Sequence, residues 1–136
     1  MRLVLDTNVI ISALLWGGKP KLLLERVFDG KDELFISREI LDEIFGILSR
    51  DKFQLEKRIV NLFLHEIEEM SELIFPSRKV IDIVRDVDDH IILECALEAD
   101  ADVIVTGDND LLVLEKFGTT DIMQVADFLE RYGKFA

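Results

Sequence analysis

The stretch Leu3-Val4-Leu5-Asp6 is a short, continuously apolar run that ends at an acid. Val103-Ile104-Val105 has the same character and is followed by Thr106-Gly107-Asp108. Apolar runs of this length and continuity are typical of strands buried on both faces of a parallel sheet. Two buried strands are therefore predicted, one ending at Asp6 and the other at Asp108.

Weaker strand patterns and several helical patterns fill the rest of the chain. We predict further strands at Glu33–Ser37 and Glu72–Pro76, with Thr120–Met123 as a fifth, edge strand. Apolar residues at helical spacing predict helices at Val9–Trp16, Lys21–Phe28, Ile40–Leu48 (with Ser37 as N-cap), Leu55–Met70, Asp89–Ala99, Leu111–Phe117 and Val125–Tyr132. This alternation predicts a Rossmann-like three-layer α/β/α sandwich, with a parallel sheet of four or five strands wound by right-handed crossovers.

Length, charge and cysteine content limit the classes of function. A chain of 136 residues, 49% of them apolar, fits one domain over residues 1–136. The net charge of −12 argues against a surface that attracts phosphate backbones by itself, so any nucleic-acid chemistry must be metal-assisted and locally basic. The single Cys95 and an N-terminus without a long apolar stretch predict a cytoplasmic protein that is not bound to a membrane.

Four acidic residues are expected at one edge of the sheet. In open α/β sheets, ligands bind beyond the carboxyl ends of the strands, where the strand order reverses. Asp6 and Asp108 end strands there, while Glu43 and Asp89 lie on helices that follow the second and third strands. On a helical wheel Glu43 borders the apolar stripe, about 40° from Ile47, so its carboxylate is expected to point into a crevice.

Four carboxylates brought together repel one another unless a cation neutralises them. Hard cations prefer oxygen ligands, and no paired Cys or His suggests zinc, so Mg²⁺ or Mn²⁺ is the expected ion. Such a cluster can position water and stabilise the charge that develops on a phosphodiester during in-line attack.

The motifs around these acids resemble those of the PIN-domain ribonucleases, over nearly the whole chain. The matching residues are Val4-Leu5-Asp6-Thr7-Asn8-Val9, Glu43, Asp88-Asp89 before an apolar helix, and Val105-Thr106-Gly107-Asp108-Asn109-Asp110-Leu111-Leu112. Their order and spacing are most similar to the bacterial and archaeal PIN proteins that act as toxins of toxin–antitoxin pairs.

The resemblance implies a metal-dependent endoribonuclease that hydrolyses single-stranded RNA. Its implied partners are an antitoxin that blocks the active-site groove and a second copy in a homodimer. The acidic residues that match the family's are Asp6, Glu43, Asp89 and Asp108, and the supporting polar positions are Asn8, Thr106 and Asp110.

Structural roles compete with these assignments. Asp108 can form a turn or cap the next helix, Asn8 can cap the first helix, and Glu43 can be an ordinary solvated residue. The run Asp86-Val87-Asp88-Asp89 offers three acids for one position, of which we prefer Asp89 because its spacing to the following helix fits the family pattern. Arg38 is the preferred residue to contact a substrate phosphate.

Other classes of function compete with the nuclease. Haloacid-dehalogenase-like phosphatases carry an Asp-x-Asp motif after the first strand. This chain has Asn8 in place of the second aspartate, which disfavours that class. A catalytically silent PIN-fold module that binds RNA or a partner remains an alternative, as does an RNA-processing or flap-type nuclease outside any toxin system. The presence of all four acids favours activity.

Overall fold

A six-stranded sheet forms the centre of the computed structural model, which describes residues 1–77 and 87–133. Its order is β3-β2-β1-β4-β6-β5, and all neighbours pair in parallel except β5 and β6, which are antiparallel. The strands are β1 (Arg2–Leu5), β2 (Glu33–Ser37), β3 (Ser71–Ile74), β4 (Val103–Val105), β5 (Lys116–Phe117) and β6 (Thr120–Met123). The predicted α/β fold with a mostly parallel sheet is confirmed, but the sheet has six strands rather than the predicted four or five, because β5 adds an antiparallel strand.

Helices connect the strands and cover the sheet. In the described part of the chain they are α1 (Thr7–Leu15), α2 (Gly18–Phe28), α3 (Arg38–Leu48), α4 (Lys57–Met70), α5 (Val87–Ala99), α6 (Asn109–Leu112) and α7 (Val125–Tyr132). With right-handed crossovers, the path from β1 through β2 to β3 places α1 to α4 on one face. The return from β3 to β4 then places α5 on the other face, where it packs against β1 and β2.

The core lies between these layers, and β1 and β4, the two strands with the clearest sequence pattern, lie at its centre. Every residue of β4 and the last three residues of β1 are buried. The start of α3 is fixed as expected, because the Ser37 hydroxyl accepts a hydrogen bond from the backbone N–H of Ile40 at 3.3 Å. Cys95 is also buried, and burial raises the pKa of its thiol to about 12, which leaves it protonated and unreactive.

The region after β4 differs from the prediction. The expected helix over Leu111–Phe117 is wrong: α6 spans only Asn109–Leu112, and Lys116–Phe117 forms β5. Glu115 adopts a φ of 59°, in the left-handed region, which ends helical geometry and turns the chain into the strand. Consequently Thr120–Met123 is not an edge strand, because it lies between β4 and β5.

Smaller differences concern element boundaries. The third strand is Ser71–Ile74 rather than Glu72–Pro76, and a short 3₁₀ turn at Asp51–Phe53 precedes α4, which begins at Lys57. Within residues 1–77 and 87–133, no helix combines the length and apolar character needed to cross a bilayer.

Candidate metal centre

The carboxyl ends of β1 and β4 form the point where the strand order reverses. From β1, the chain proceeds to β2 and β3 on one side of the sheet, and from β4 to β6 on the other. The backbone N–H of Asp6 donates to the carbonyl of Val105 at 2.9 Å, so Asp6 extends the pairing of these two strands by one residue. This is where ligands bind in open α/β sheets.

Three of the four predicted acids meet at this point. One carboxylate oxygen from each of Asp6, Asp89 and Asp108 lies within 4.8 Å of the other two. Asp6 follows β1, Asp89 lies in the first turn of α5, and Asp108 is the third residue after β4. The side chains converge because the strand ends and the start of the return helix share one edge of the sheet.

The donor set fits a hard divalent cation. All three groups are carboxylates, which Mg²⁺ and Mn²⁺ prefer over nitrogen or sulfur ligands. Two oxygens bound to one Mg²⁺ at about 2.1 Å lie up to about 4 Å apart, so a group within 4.8 Å needs only small side-chain shifts to bind one. Asp6 and Asp89 are 7% and 4% exposed, which leaves the half-buried Asp108 nearest to solvent.

Thr106 connects two of the acids. Its buried hydroxyl donates to Asp6 Oδ2 at 2.6 Å and accepts from the backbone N–H of Asp108 at 3.0 Å. The Asp6 carboxylate is thereby fixed in orientation, and the backbone that carries Asp108 is fixed against it.

Asp108 is both a helix cap and a member of the acidic group. Its Oδ1 accepts from the backbone N–H of Asp110 at 2.9 Å and so caps α6. The capping alternative is therefore correct but not exclusive, because a carboxylate has a second oxygen and further lone pairs for a cation. Asp110 contacts Asp108 through its backbone N–H only, and its own side chain is exposed.

The electrostatics of Asp6 fit a cation-binding site. Burial is the main cause that raises the pKa of this carboxyl above its ordinary value of 3.8, and the charge of Asp108 raises it further. The Thr106 hydroxyl and the N–H groups of Asn8 and Thr7 act in the opposite direction. A divalent cation would remove the main penalty by neutralising the buried charge.

This pKa shift predicts how the stability of the metal-free protein depends on pH. Between the ordinary pKa and the raised one, folded Asp6 keeps its proton while the unfolded chain releases it, so the free energy of unfolding falls as pH rises through this window. Asp6→Asn should flatten this part of the profile and make the metal-free protein more stable at neutral pH. Urea unfolding in EDTA from about pH 4 to about pH 7 measures both effects.

Thr106→Val provides the control for that experiment. It removes the hydroxyl that stabilises the charged form of Asp6 and should therefore steepen the decline in stability. If the free energy of unfolding has the same dependence on pH in the wild type and in Asp6→Asn, this would contradict a raised pKa at Asp6.

Two further predicted residues, Glu43 and Arg38, lie on α3. Glu43 is half-buried on α3 and is not one of the residues whose ligand atoms meet within 4.8 Å. Arg38 begins α3 and forms an exposed ion pair with Glu68, 3.8 Å between Nη1 and Oε1. Exposed pairs contribute little free energy, so this one does not prevent Arg38 from meeting a phosphate.

The structure bears on the capping role of Asn8 and on the choice among Asp86, Asp88 and Asp89. Asn8 does not cap α1, because the helix begins at Thr7 with Asp6 as its N-cap residue. Asp86 and the side chain of Asp88 lie outside the described residues. The acid that joins the described group is Asp89, the preferred one of the three.

Thr7 is a buried polar neighbour of Asp6 for which the sequence suggested no role. It is fully buried, and its hydroxyl has no hydrogen-bond partner among the described residues. Its burial depends on how α1 packs against its neighbours, so no sequence signal of its own marked it.

Comparison with known proteins agrees with this description. Residues 2–110 match the family model of the PIN domain. Two similar solved structures are the VapBC2 complex of Rickettsia felis bound to a DNA fragment from its promoter and VapBC-1 of nontypeable Haemophilus influenzae. None of the curated proteins compared by sequence matches the chain.

The structural likenesses span nearly the whole chain at low sequence identity. The Rickettsia match has a TM-score of 0.65 and 17% identity, and covers 90% of this chain and 97% of that one. The Haemophilus match has a TM-score of 0.62 and 19% identity, and covers 93% and 99%. At such identities the likeness shows the fold.

The fold and the acidic group define an α/β protein with a carboxylate site at the switch point of its sheet. Since the family model spans most of the length, the chain belongs to the PIN domain family, a family of nucleases. The predicted family is thus confirmed.

Proposed function

We propose that this protein is a Mg²⁺- or Mn²⁺-dependent endoribonuclease that cleaves single-stranded RNA. The observation that carries the proposal is the convergence of Asp6, Asp89 and Asp108 at the switch point of the sheet. Buried carboxylates at this spacing are costly without a cation, and a divalent cation beside a phosphodiester is a means of hydrolysing it. Membership of the PIN domain family supports the same chemistry.

The residues divide into ligands and positioning groups. Asp6, Asp89 and Asp108 would hold the cation, with Glu43 as the fourth predicted acid. When bound, the cation supplies positive charge to a phosphodiester under attack and makes water more acidic. Thr106 fixes the orientation of the Asp6 carboxylate through its hydroxyl.

Two further groups are assigned by position. The backbone N–H of Asp110 holds Oδ1 of Asp108. Arg38, at the start of α3 and the carboxyl end of β2, is the proposed contact for a substrate phosphate, and Asn8 in the first turn of α1 is the proposed polar support.

The biological proposal is that the chain is the toxin of a toxin–antitoxin pair in the cytoplasm. Both similar structures named above are VapBC complexes, which supports a cognate antitoxin as partner. A homodimer is the proposed assembly. The net charge of −12 agrees with an enzyme that relies on metal rather than on a broadly basic surface.

The catalytic proposal predicts metal-dependent cleavage by the purified chain. A labelled single-stranded RNA of mixed sequence should be cut internally with Mg²⁺ or Mn²⁺, and EDTA should reduce the rate by about a thousandfold or more, since metal charge stabilisation is worth several kcal/mol. Gel analysis of the fragments measures this, with single-stranded DNA of the same sequence as the control substrate. Cleavage that persists in EDTA, or none with either metal, would contradict the proposal.

A further inference from the structure

An exposed pair of aromatic rings stands apart from the acidic group. Trp16, at the end of α1, is 70% exposed, and its ring packs against Phe53 in the 3₁₀ turn, with 6.2 Å between centroids and 58° between planes. Most of the indole surface thus faces solvent. Aromatic surface held at a fixed place outside the core is a feature of binding sites.

Cationic side chains accompany these rings. Lys52 places its Nζ 5.1 Å from the centroid of the Phe53 ring. Lys21 follows Trp16 by five residues, and its Cδ lies 3.7 Å from where a Cβ on Gly17 would lie. The segments 16–21 and 50–53 contain four Lys or Arg residues against one Asp, a net charge of +3 in a chain of net charge −12.

The ring pair lies at the tips of two helical hairpins. The α1–α2 hairpin turns at Trp16 and Gly17, and the α3–α4 hairpin turns through the 3₁₀ segment that contains Phe53. Because α1 starts directly after Asp6 and has nine residues, Trp16 lies roughly 15 Å from Asp6 along the helix axis. A strand of a few nucleotides spans this distance.

We infer that Trp16, Phe53, Lys21 and Lys52 form a stacking platform for single-stranded RNA, which we call the Trp16 platform; the inference rests on the proposed ribonuclease function. A base stacks on the indole face, and the two ammonium groups contact the flanking phosphates. Stacking tolerates any base because each base has a π-face, so the platform holds the strand rather than reading its sequence.

The charge around the rings favours RNA over a protein partner as occupant. Lysine is depleted at the centres of protein–protein interfaces, whereas cations interleaved with exposed aromatic rings are typical of grooves that bind single strands. In a strongly acidic chain, a local positive patch also provides the electrostatic complement that a polyanion needs.

Intrinsic fluorescence tests the platform directly, because Trp16 is the one tryptophan of the chain. Titrating the Asp108→Asn variant, which is expected not to cleave, with an RNA of roughly ten nucleotides should quench this fluorescence saturably. Binding should weaken steeply as salt rises, and Lys52→Ala should reduce the slope of that dependence by about one. Fluorescence that does not respond to RNA overturns the inference and leaves a protein partner as the occupant to test.

The steady-state kinetics of RNA cleavage by active variants provide a second test. Trp16→Ala should raise the KM for RNA about tenfold with kcat within about twofold, whereas Trp16→Phe, which keeps a π-face, should restore most of the affinity. Phe28→Ala is the matched control, because Phe28 is 78% exposed but lies at the end of α2. The chain enters β2 shortly after this residue, so Phe28 lies near the amino ends of the strands, away from the acidic group. An unchanged KM for Trp16→Ala overturns the inference.

The fluorescence titration and the cleavage kinetics distinguish failure of this inference from failure of the proposed function. RNA cleavage with no fluorescence response refutes the platform alone. A saturable response without cleavage by the wild type refutes the ribonuclease and supports the platform. Thermal melting of each variant checks the fold, and Lys52→Ala decides the inference if Trp16→Ala unfolds.

Discussion

Replacing Asp108 by Asn is expected to lower kcat for RNA cleavage by about a thousandfold or more, with the fold intact. The amide keeps the size and the capping oxygen that accepts from Asp110 N–H, but it loses the negative charge that the cation requires. Asp6→Asn should have a similar effect, because Asp6 shares the same group of oxygens. Single-turnover cleavage at saturating Mg²⁺ measures the loss, and urea unfolding confirms the fold.

Asp121→Asn is the matched control, since this acid is partly exposed on β6 and pairs with Lys116 at 3.4 Å. It should leave cleavage within about twofold, because it lies outside the acidic group. Wild-type cleavage by Asp6→Asn and Asp108→Asn would refute the proposed active site.

The same variants test the toxin role in cells. Expression of the wild type alone should slow growth, expression of Asp108→Asn should not, and a small neighbouring gene should relieve the effect. Normal growth with an active nuclease would indicate RNA processing instead.

Replacing Asp32 by Asn is expected to destabilise the protein by about 3 kcal/mol, which lowers Tm by roughly 10 °C. Asp32 is 4% exposed, and its Oδ2 accepts from Arg26 Nε at 2.7 Å while its Oδ1 faces the N-terminal amine at 3.2 Å. The Arg26 side chain is itself only 12% exposed. Removing the carboxylate charge therefore leaves a largely buried guanidinium without its counter-charge.

Thermal and urea unfolding measure this loss, with Asp29→Asn as control. Asp29 is an exposed acid three residues earlier, and its substitution should change stability by less than about 0.5 kcal/mol. If Asp32→Asn lowers the free energy of unfolding by less than about 1 kcal/mol, the prediction is wrong, and water or nearby groups stabilise the Arg26 guanidinium in place of the carboxylate.

The sequence predicted the meeting of the acids that follow strands better than the position of Glu43. Asp6 and Asp108 each come after an apolar run, so the parallel arrangement of β1 and β4 alone brings them to one edge. The helical wheel gives the direction of Glu43 but not its distance from the other acids, which depends on how α3 is inclined to the sheet. The structure places Glu43 outside the group that meets within 4.8 Å.

The edge of the sheet formed by β5 was the part of the fold that the sequence did not predict. Apolar residues at 111, 112, 114 and 117 suit both a helix and a turn followed by a strand. The decision rests on the left-handed backbone of Glu115 and on pairing with β6, and neither is encoded in local spacing. Long-range contacts such as the Arg38–Glu68 ion pair are equally invisible to pattern reasoning.

The antiparallel β5 also affects how copies of this protein behave at high concentration. An edge strand with free backbone groups is a template for aggregation, and long, flat edges carry the greatest risk. Here the strand beyond β6 has only two residues and carries the exposed Lys116, whose charge disfavours close approach of another strand. This edge of the sheet is therefore protected against self-association through added strands.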